Sequence, residues 1–466
     1  MTFTQKNLRL SSPIGIFLLG WLSFLAGSQR AFAIEVDSGS ISGLSMSHGG
    51  DASDPLDASF IFSNPAHVSF LKKEVVLTGA YSGETAHFSG GQLTPFLSTK
   101  GYTASEYAKG TPTSVGDFSG SHAHIALFST LPLNPKWAMG LAITSPWSSQ
   151  ISTGDWVGKY YVTDFQLDTI NFSPLLSYQL LPSLSLGGGI QVQYLQVDMG
   201  YDLDFGALPA LDEYNTLNRS SIIENSVHYS GTADGSLDYK ANSIDGGLLL
   251  GFLWQPHSSL RWGGSFRSTV LHKTEGDLTI THPTGQDALA ATFKPYQSGS
   301  GSLRLQTPAV WLTGVSWQPR ESTTVSLSYQ YMDATKSFQQ EDLESSALPA
   351  SQSLFFHGKS RHRGSIGGRY TWRAWQFRGG ASMQTTMFPE TETLLLWDSH
   401  RYEVNTGVGY TWRERYRVDA AYAYKLPNST SLQTEAQRVQ TEAKGLLTGK
   451  TNWSTQTVGL QFKVGF

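Results

Sequence analysis

The stretch "YEVNTGVGYTWRERYRVDAAYAY", Tyr402 to Tyr424, decides the fold. In its first half Tyr402, Val404, Val408, Tyr410 and Trp412 take one face, and Glu403, Asn405, Gly407, Gly409 and Thr411 take the other. In its second half Tyr416, Val418, Ala420, Tyr422 and Tyr424 oppose Arg417, Asp419, Ala421 and Ala423. A period of two means β-strands, because successive side chains of a strand point to opposite faces. One face is aromatic and aliphatic and the other small and polar. That is the wall of a transmembrane barrel, lipid outside and lumen inside.

The reading extends along the chain. "VSLSYQY" sets Val325, Leu327, Tyr329 and Tyr331 against Ser326, Ser328 and Gln330. Short turns recur at Leu133–Trp137, Leu181–Ser183, Trp254–Ser259, Trp317–Ser322, Trp372–Trp375 and Trp412–Arg415. Trp254, Trp317, Trp372 and Trp412 each close a strand at a turn, where an indole suits a membrane interface. Longer connectors, such as Gly90–Gly120 and Gly206–Gly235, alternate with these turns. Short periplasmic turns and long outer loops are the outer-membrane pattern. One strand near Glu74–Phe88, six turn-linked pairs and a last strand near Thr451–Phe466 predict an all-β barrel of 14 antiparallel strands over residues 74–466. The chain ends "VGLQFKVGF", and its final Phe466 resembles the signal that bacterial barrel-assembly machinery reads, an expected partner.

The start of the chain fits export. Lys6 and Arg9 precede the apolar run Pro13–Gly27, and "AFA" at Ala31–Ala33 offers a cleavage site, so residues 1–33 read as a signal peptide. Cysteine is absent, so stability must come from a large core or a closed sheet. Charged residues are 15%, well below the roughly 25% of soluble domains. The net charge is -4 with no basic stripe, which argues against nucleic acid as a partner.

Several stretches together resemble the long-chain fatty acid transporter family of Gram-negative outer membranes, which includes aromatic-hydrocarbon channels. "SGLSMSHGGDASDPLDASFIFSNPA" (Ser42–Ala66) resembles the family's N-terminal hatch, and "WAMGLAITSPW" (Trp137–Trp147) its third strand. "PSLSLGGGIQVQYLQVDM" (Pro182–Met199), "LRLQTPAVWLTGVSWQP" (Leu303–Pro319) and "VSLSYQYMDATKSFQQ" (Val325–Gln340) resemble later strands. The resemblance implies that residues 34–73 plug the lumen, with Asn64-Pro65-Ala66 as a compact turn. It implies a kinked third strand that opens the wall sideways, marked by Pro146 with the small Gly140 and Ala142 nearby. It also implies capture of ligand by two outer loops, through Leu208, Leu211, Leu217, Ile222 and Ile223 on one and Leu289 and Phe293 on the other.

The residues themselves support parts of this. Proline lacks the N–H of a ladder bond, so Pro146 interrupts a strand. Apolar side chains on outer loops suit a greasy ligand. Gly187-Gly188-Gly189 lies in an alternating strand and predicts close packing against the plug. His122 and His124 share a strand face and read as lumen-facing, with no third ligand nearby for a metal. Apolar residues at Leu432, Ala436, Val439, Ala443 and Leu446 have helical spacing. One departure concerns charge. "QVQYLQVDMGYDLDF" carries Asp198, Asp202 and Asp204 but no cation, which leaves Lys336 as the partner for a ligand carboxylate and brings neutral hydrocarbons into play. No catalytic spacing, metal site or cofactor motif stands out. The function expected is passive transport of hydrophobic molecules, fatty acids or hydrocarbons, released sideways into outer-membrane lipid. The alternative is a general porin for small polar solutes, which needs an open lumen and no plug.

Overall fold

The computed structural model describes residues 38–94, 102–103, 116–153, 156–205, 234–284, 294–335, 341–348, 352–354, 358–387, 400–433, 437–438, 443–444 and 446–466. Its main strands are β1 (Glu74–Thr94), β2 (Gly120–Pro132), β3 in two pieces (Trp137–Thr144 and Ser148–Ser152), β4 (Asp164–Leu181) and β5 (Leu184–Asp204). They continue with β6 (Asp234–His257), β7 in two pieces (Leu260–Arg267 and Val270–Thr281), β8 in two pieces (Gly299–Thr307 and Ala309–Arg320) and β9 (Thr323–Asp333). The last are β10 (Arg361–Trp372), β11 (Trp375–Gln384), β12 (Arg401–Trp412), β13 (Tyr416–Gln433) and β14 (Leu446–Gly465). Neighbours pair antiparallel, and β14 returns to β1, with Leu77 opposite Phe462, to close a 14-strand barrel.

The six short turns fall where the sequence places them. At the turn after β12, Arg413 and Glu414 take φ of 51° and 58°, the left-handed geometry of a tight hairpin. After Leu432, β13 runs to Gln433 and Gln437–Arg438 pairs with Ala443–Lys444 as a separate two-stranded ladder, while Ala436 and Val439 of the helically spaced set lie outside the described residues.

The lipid face is legible in exposure. Leu186, Ile190, Leu248, Leu250, Leu327, Ile366 and Val458 all point outward and exposed. Trp254, Trp317 and Trp372 are exposed at the turn end, whereas Trp412 is half-buried in a stack with Tyr410 and Tyr416.

Part-way up the wall the two faces exchange character. In the lower half of β5, Gly187, Gly189, Gln191 and Gln193 face inward. Above Tyr194 the inward residues are Leu195, Val197, Met199, Tyr201 and Leu203, all buried. Asp198 and Asp202 turn outward, where Asp198 meets Lys240 at 2.9 Å and Asp202 meets Lys159 at 3.4 Å. The wall has left the bilayer and behaves like a water-soluble barrel, apolar inside. The strand keeps its period, but the surroundings of its two faces invert. Trp147, Trp156, Tyr160, Phe165, Leu237, Tyr239, Leu278 and Leu305 join the same apolar cluster, which fills the upper barrel.

Residues 38–73 lie inside the lower barrel as three short helical turns. Each begins with a side chain that caps a free N–H: Ser40 for Ile41–Leu44, Asp57 for Ala58–Ile61 and Asn64 for Pro65–Phe70. Proline at the first position of the third turn costs no hydrogen bond there.

Candidate functional site

The inner segment is fixed to the wall all the way round. Asn64 is wholly buried; its Nδ2 donates to the Ala52 carbonyl at 2.8 Å and to the Phe252 carbonyl of β6 at 2.9 Å. Its Oδ1 accepts from the Ala66 N–H at 3.0 Å. The wall makes room with glycine: a Cβ at Gly187 would stand 2.3 Å from the Ala66 nitrogen, and one at Gly263 1.9 Å from the Ala52 oxygen. Ion pairs and a hydrogen bond complete the seat. Asp54 meets Arg261 at 3.3 Å and Arg369 at 3.0 Å, and Gln461 donates to Asp57 at 2.9 Å. His67 donates from Nε2 to the Ala52 carbonyl at 3.1 Å, and burial pushes its imidazole down to about 4.

Above this seat the wall is broken. The lower piece of β3 pairs with β2 from Pro132–Ala138 up to Leu127–Ile143. The upper piece pairs only with β4, so Gly120–Ala126 of β2 have no β3 partner among the described residues. Pro146 sits in the break. Beside it Trp147 turns inward, wholly buried, with its backbone N–H on Thr169 Oγ1 at 3.0 Å.

Behind the break is a cavity lined by Ser145, Ser148, His122, His124, Glu84 and Lys425 from the wall and by Gly39, Ile41 and His48 from the inner segment. The rings of His122 and His124 stand 4.7 Å apart, edge to face. Arg363 also reaches this cavity, 3.6 Å from Glu403 and 3.2 Å from Ser382 Oγ. A second cavity shares Arg363 and His48 and extends to Phe62 and Arg267. His48 holds φ of 63° and contacts Asp51 at 3.0 Å, a left-handed conformation uncommon away from glycine. Its backbone is thus bent to face both cavities. The arrangement sets a packed apolar cluster above a charged cavity that lies behind the break in the wall.

A model of the family described as "Outer membrane protein transport protein (OMPP1/FadL/TodX)" matches residues 22–466. The chain belongs to that family. It is an outer-membrane protein of a transporter family that moves hydrophobic molecules such as fatty acids and hydrocarbons. The "Long-chain fatty acid transport protein" of Escherichia coli O6:H1 is 22% identical over 436 residues, 90% of this chain and 92% of that one. "Outer membrane protein P1" of Haemophilus influenzae is 22% identical over 413 residues, 86% of this chain and 87% of that one. Among solved structures, a Pseudomonas aeruginosa FadL homologue superposes with a TM-score of 0.80 at 20% identity, covering 94% of this chain and 100% of its own. The Pseudomonas putida toluene transporter TodX gives 0.63 at 14% identity, covering 94% and 100%.

Of the residues singled out by sequence, Asn64, Pro65 and Ala66 form the buried seat, and Pro146 marks the break. Gly140 and Ala142 lie below the break, in the paired part of β3, and face the inner segment: a Cβ at Gly140 would meet Val68 at 2.9 Å. Gly187 packs against the inner segment as expected, while Gly189 packs against Leu175 and Pro174 of the wall. Leu208, Leu211, Leu217, Ile222, Ile223, Leu289, Phe293 and Lys336 lie outside the described residues, as does the proposed signal peptide. Sequence reasoning missed Arg363 and Lys425, and placed Glu403 on the lumen face without assigning it to a site. Their signal was present, since each is a charge on the small, polar face of an alternating strand.

Proposed function

We propose that this family member carries hydrophobic molecules, fatty acids or hydrocarbons, through the outer membrane and releases them sideways through the break in β3. The observation that carries this is the loss of the β2–β3 ladder directly in front of a lumen cavity, with residues 38–73 filling the straight path below. Residues 34–73 act as the hatch, and Gly140 and Ala142 seat it beneath the exit. The two outer loops, with the leucines and Phe293 named above, take the ligand first. Arg363 is a carboxylate partner within the described lumen, and Lys336 is the other. Phe466, exposed at the end of β14 with its N–H on the Lys73 carbonyl at 3.0 Å, presents itself to assembly machinery.

The direct test fills the gap. Ser148→Arg should cut uptake of labelled oleate several-fold while the heat-stable barrel still forms. Uptake at the unmutated level would move the exit elsewhere. Single-channel recording separates the porin reading: large steady conductance from the intact chain would favour a porin, and its absence favours a plugged transporter.

A further inference from the structure

The wall is interrupted a second time, on another side of the barrel. β6 and β7 pair from Leu260–His257 up to Arg267–Leu249 and resume only at Glu275–Asn242. Residues 243–248 and 268–274 between them form no ladder. Their outer neighbours Ile244, Leu248 and Leu271 are 69%, 55% and 58% exposed, so this seam lies at the level of lipid tails. Bare backbone polar groups there cost several kcal/mol each. Side chains cover them instead. The Leu248 N–H donates to Ser268 Oγ at 2.8 Å, the Ser268 N–H to the Leu248 carbonyl at 2.9 Å, and Gln191 Nε2 to the Ser268 carbonyl at 3.1 Å. Higher up, His272 reaches across to Ser243 Oγ at 2.7 Å. The seam is closed by one backbone bond and otherwise by side-chain contacts, which rotate away more easily than a ladder unzips.

Just inside it stands a buried cation. Arg267 donates to Gln191 Oε1 at 2.6 Å and to the Phe62 carbonyl at 2.8 Å, and its guanidinium lies over the Phe62 ring at 3.8 Å. Among the described residues it has no carboxylate within ion-pair distance. A buried charge without a counter-ion is expensive, and an anionic head group would supply the missing charge. It also lines the cavity that runs past Arg363 towards the first break.

We propose that the β6–β7 seam is a second side door, closed in this structure, that passes amphiphiles with an anionic head group, the head held by Arg267 while the tail enters the bilayer between Leu248 and Leu271. This rests on the transport reading above and adds a route and a head-group requirement to it. A neutral hydrocarbon offers Arg267 nothing and is left to the first break.

The chain has no native cysteine, which makes the test clean. Ser243→Cys and His272→Cys are introduced together in the Ser148→Arg background and joined in the folded protein, in cells, with a short bis-methanethiosulfonate, which forms a disulfide to each cysteine with loss of sulfinate and is cleaved by a thiol reductant. Oleate uptake that survives Ser148→Arg should drop several-fold on cross-linking and return on cleavage. Residual uptake that ignores the cross-link, or Ser148→Arg alone abolishing uptake, overturns the second door. An unmutated chain that takes up no oleate would refute transport itself, a separable result. As an independent readout, Arg267→Gln with the first break intact should lower oleate uptake several-fold and leave hexadecane uptake unchanged; an equal effect on both overturns the head-group requirement.

Discussion

At the β3 break the upper strand piece has left β2 altogether, and a charged cavity stands open behind the gap. At the β7 break the strand loses its β6 ladder over a comparable stretch, yet the hole is stitched shut and the inner segment packs behind it through Phe62 on Arg267. Both regions carry a proline, Pro146 in one and Pro308 of the adjoining β8 in the other. The difference shows that proline alone does not open a wall. Around Pro308 the two pieces of β7 and β8 stay in step, Arg267 opposite Val310 and Val270 opposite Thr307. A missing N–H costs one ladder bond; an opening needs a neighbour that no longer pairs and an interior able to solvate what is exposed.

The largest effect should come from removing what the two breaks share. Deleting residues 38–73 takes Ile41 and Gly39 from behind the first break and Phe62 from behind the second. The barrel should still insert and should pass ions freely. A deletion variant as tight as the intact chain would mean that the upper apolar cluster seals the lumen and that the hatch closes neither break.

Acid should loosen the hatch without a mutation. His67 is buried and neutral, with its pKa near 4 against 6.5 when free. Between those values the released hatch binds a proton that the docked one does not. Docking is therefore at full strength above pH 6.5, weakens as pH falls, and has lost about 3 kcal/mol from this group near pH 4. Asp51 and Asp54 face the same histidine and soften the penalty without removing it. Conductance should rise at pH 5 relative to pH 7.5, and His67→Gln should flatten the dependence. A pH-independent conductance in the unmutated protein would show that the His67 site does not control docking.

Part of this contrast was legible in the sequence. Strand number and the six turns follow from local signals, a period of two and turn residues, and the interruption at Pro146 from its missing N–H; the placing of the segment around Asn64 inside the barrel came from the family resemblance. The second break was not legible, because "SFRSTVLH" (Ser265–His272) carries no glycine or proline and reads as one strand. Its interruption arises from pairing with β6, a partner distant in sequence at this level. The outward setting of Asp198 and Asp202 was not legible for a related reason. Alternation tells which residues share a face, and the bilayer's edge, which decides what that face meets, has no signature within β5.

The two prolines offer the next test. Pro146→Ala restores an N–H at the first break and should let the upper piece of β3 approach β2, lowering uptake several-fold. Pro308→Ala restores an N–H where register was never lost and should leave uptake unchanged. Equal effects would show that both kinks open the wall in the same way.

The smallest effect is the most local. Ser268 Oγ is the acceptor for the Leu248 N–H in a wall facing lipid. Ser268→Ala leaves that donor without a partner and should cost about 1–2 kcal/mol of barrel stability, the scale of one orphaned buried donor. Ser145, at the first break, lines the cavity instead of bridging strands. Ser145→Ala should stay within about 0.5 kcal/mol, as substitutions away from such bonds do. Urea titration of the folded barrel in lipid vesicles reads both values. If Ser145→Ala proved as costly as Ser268→Ala, the first break would also be held together by its side chains, and its standing open to the cavity would no longer distinguish it from the second.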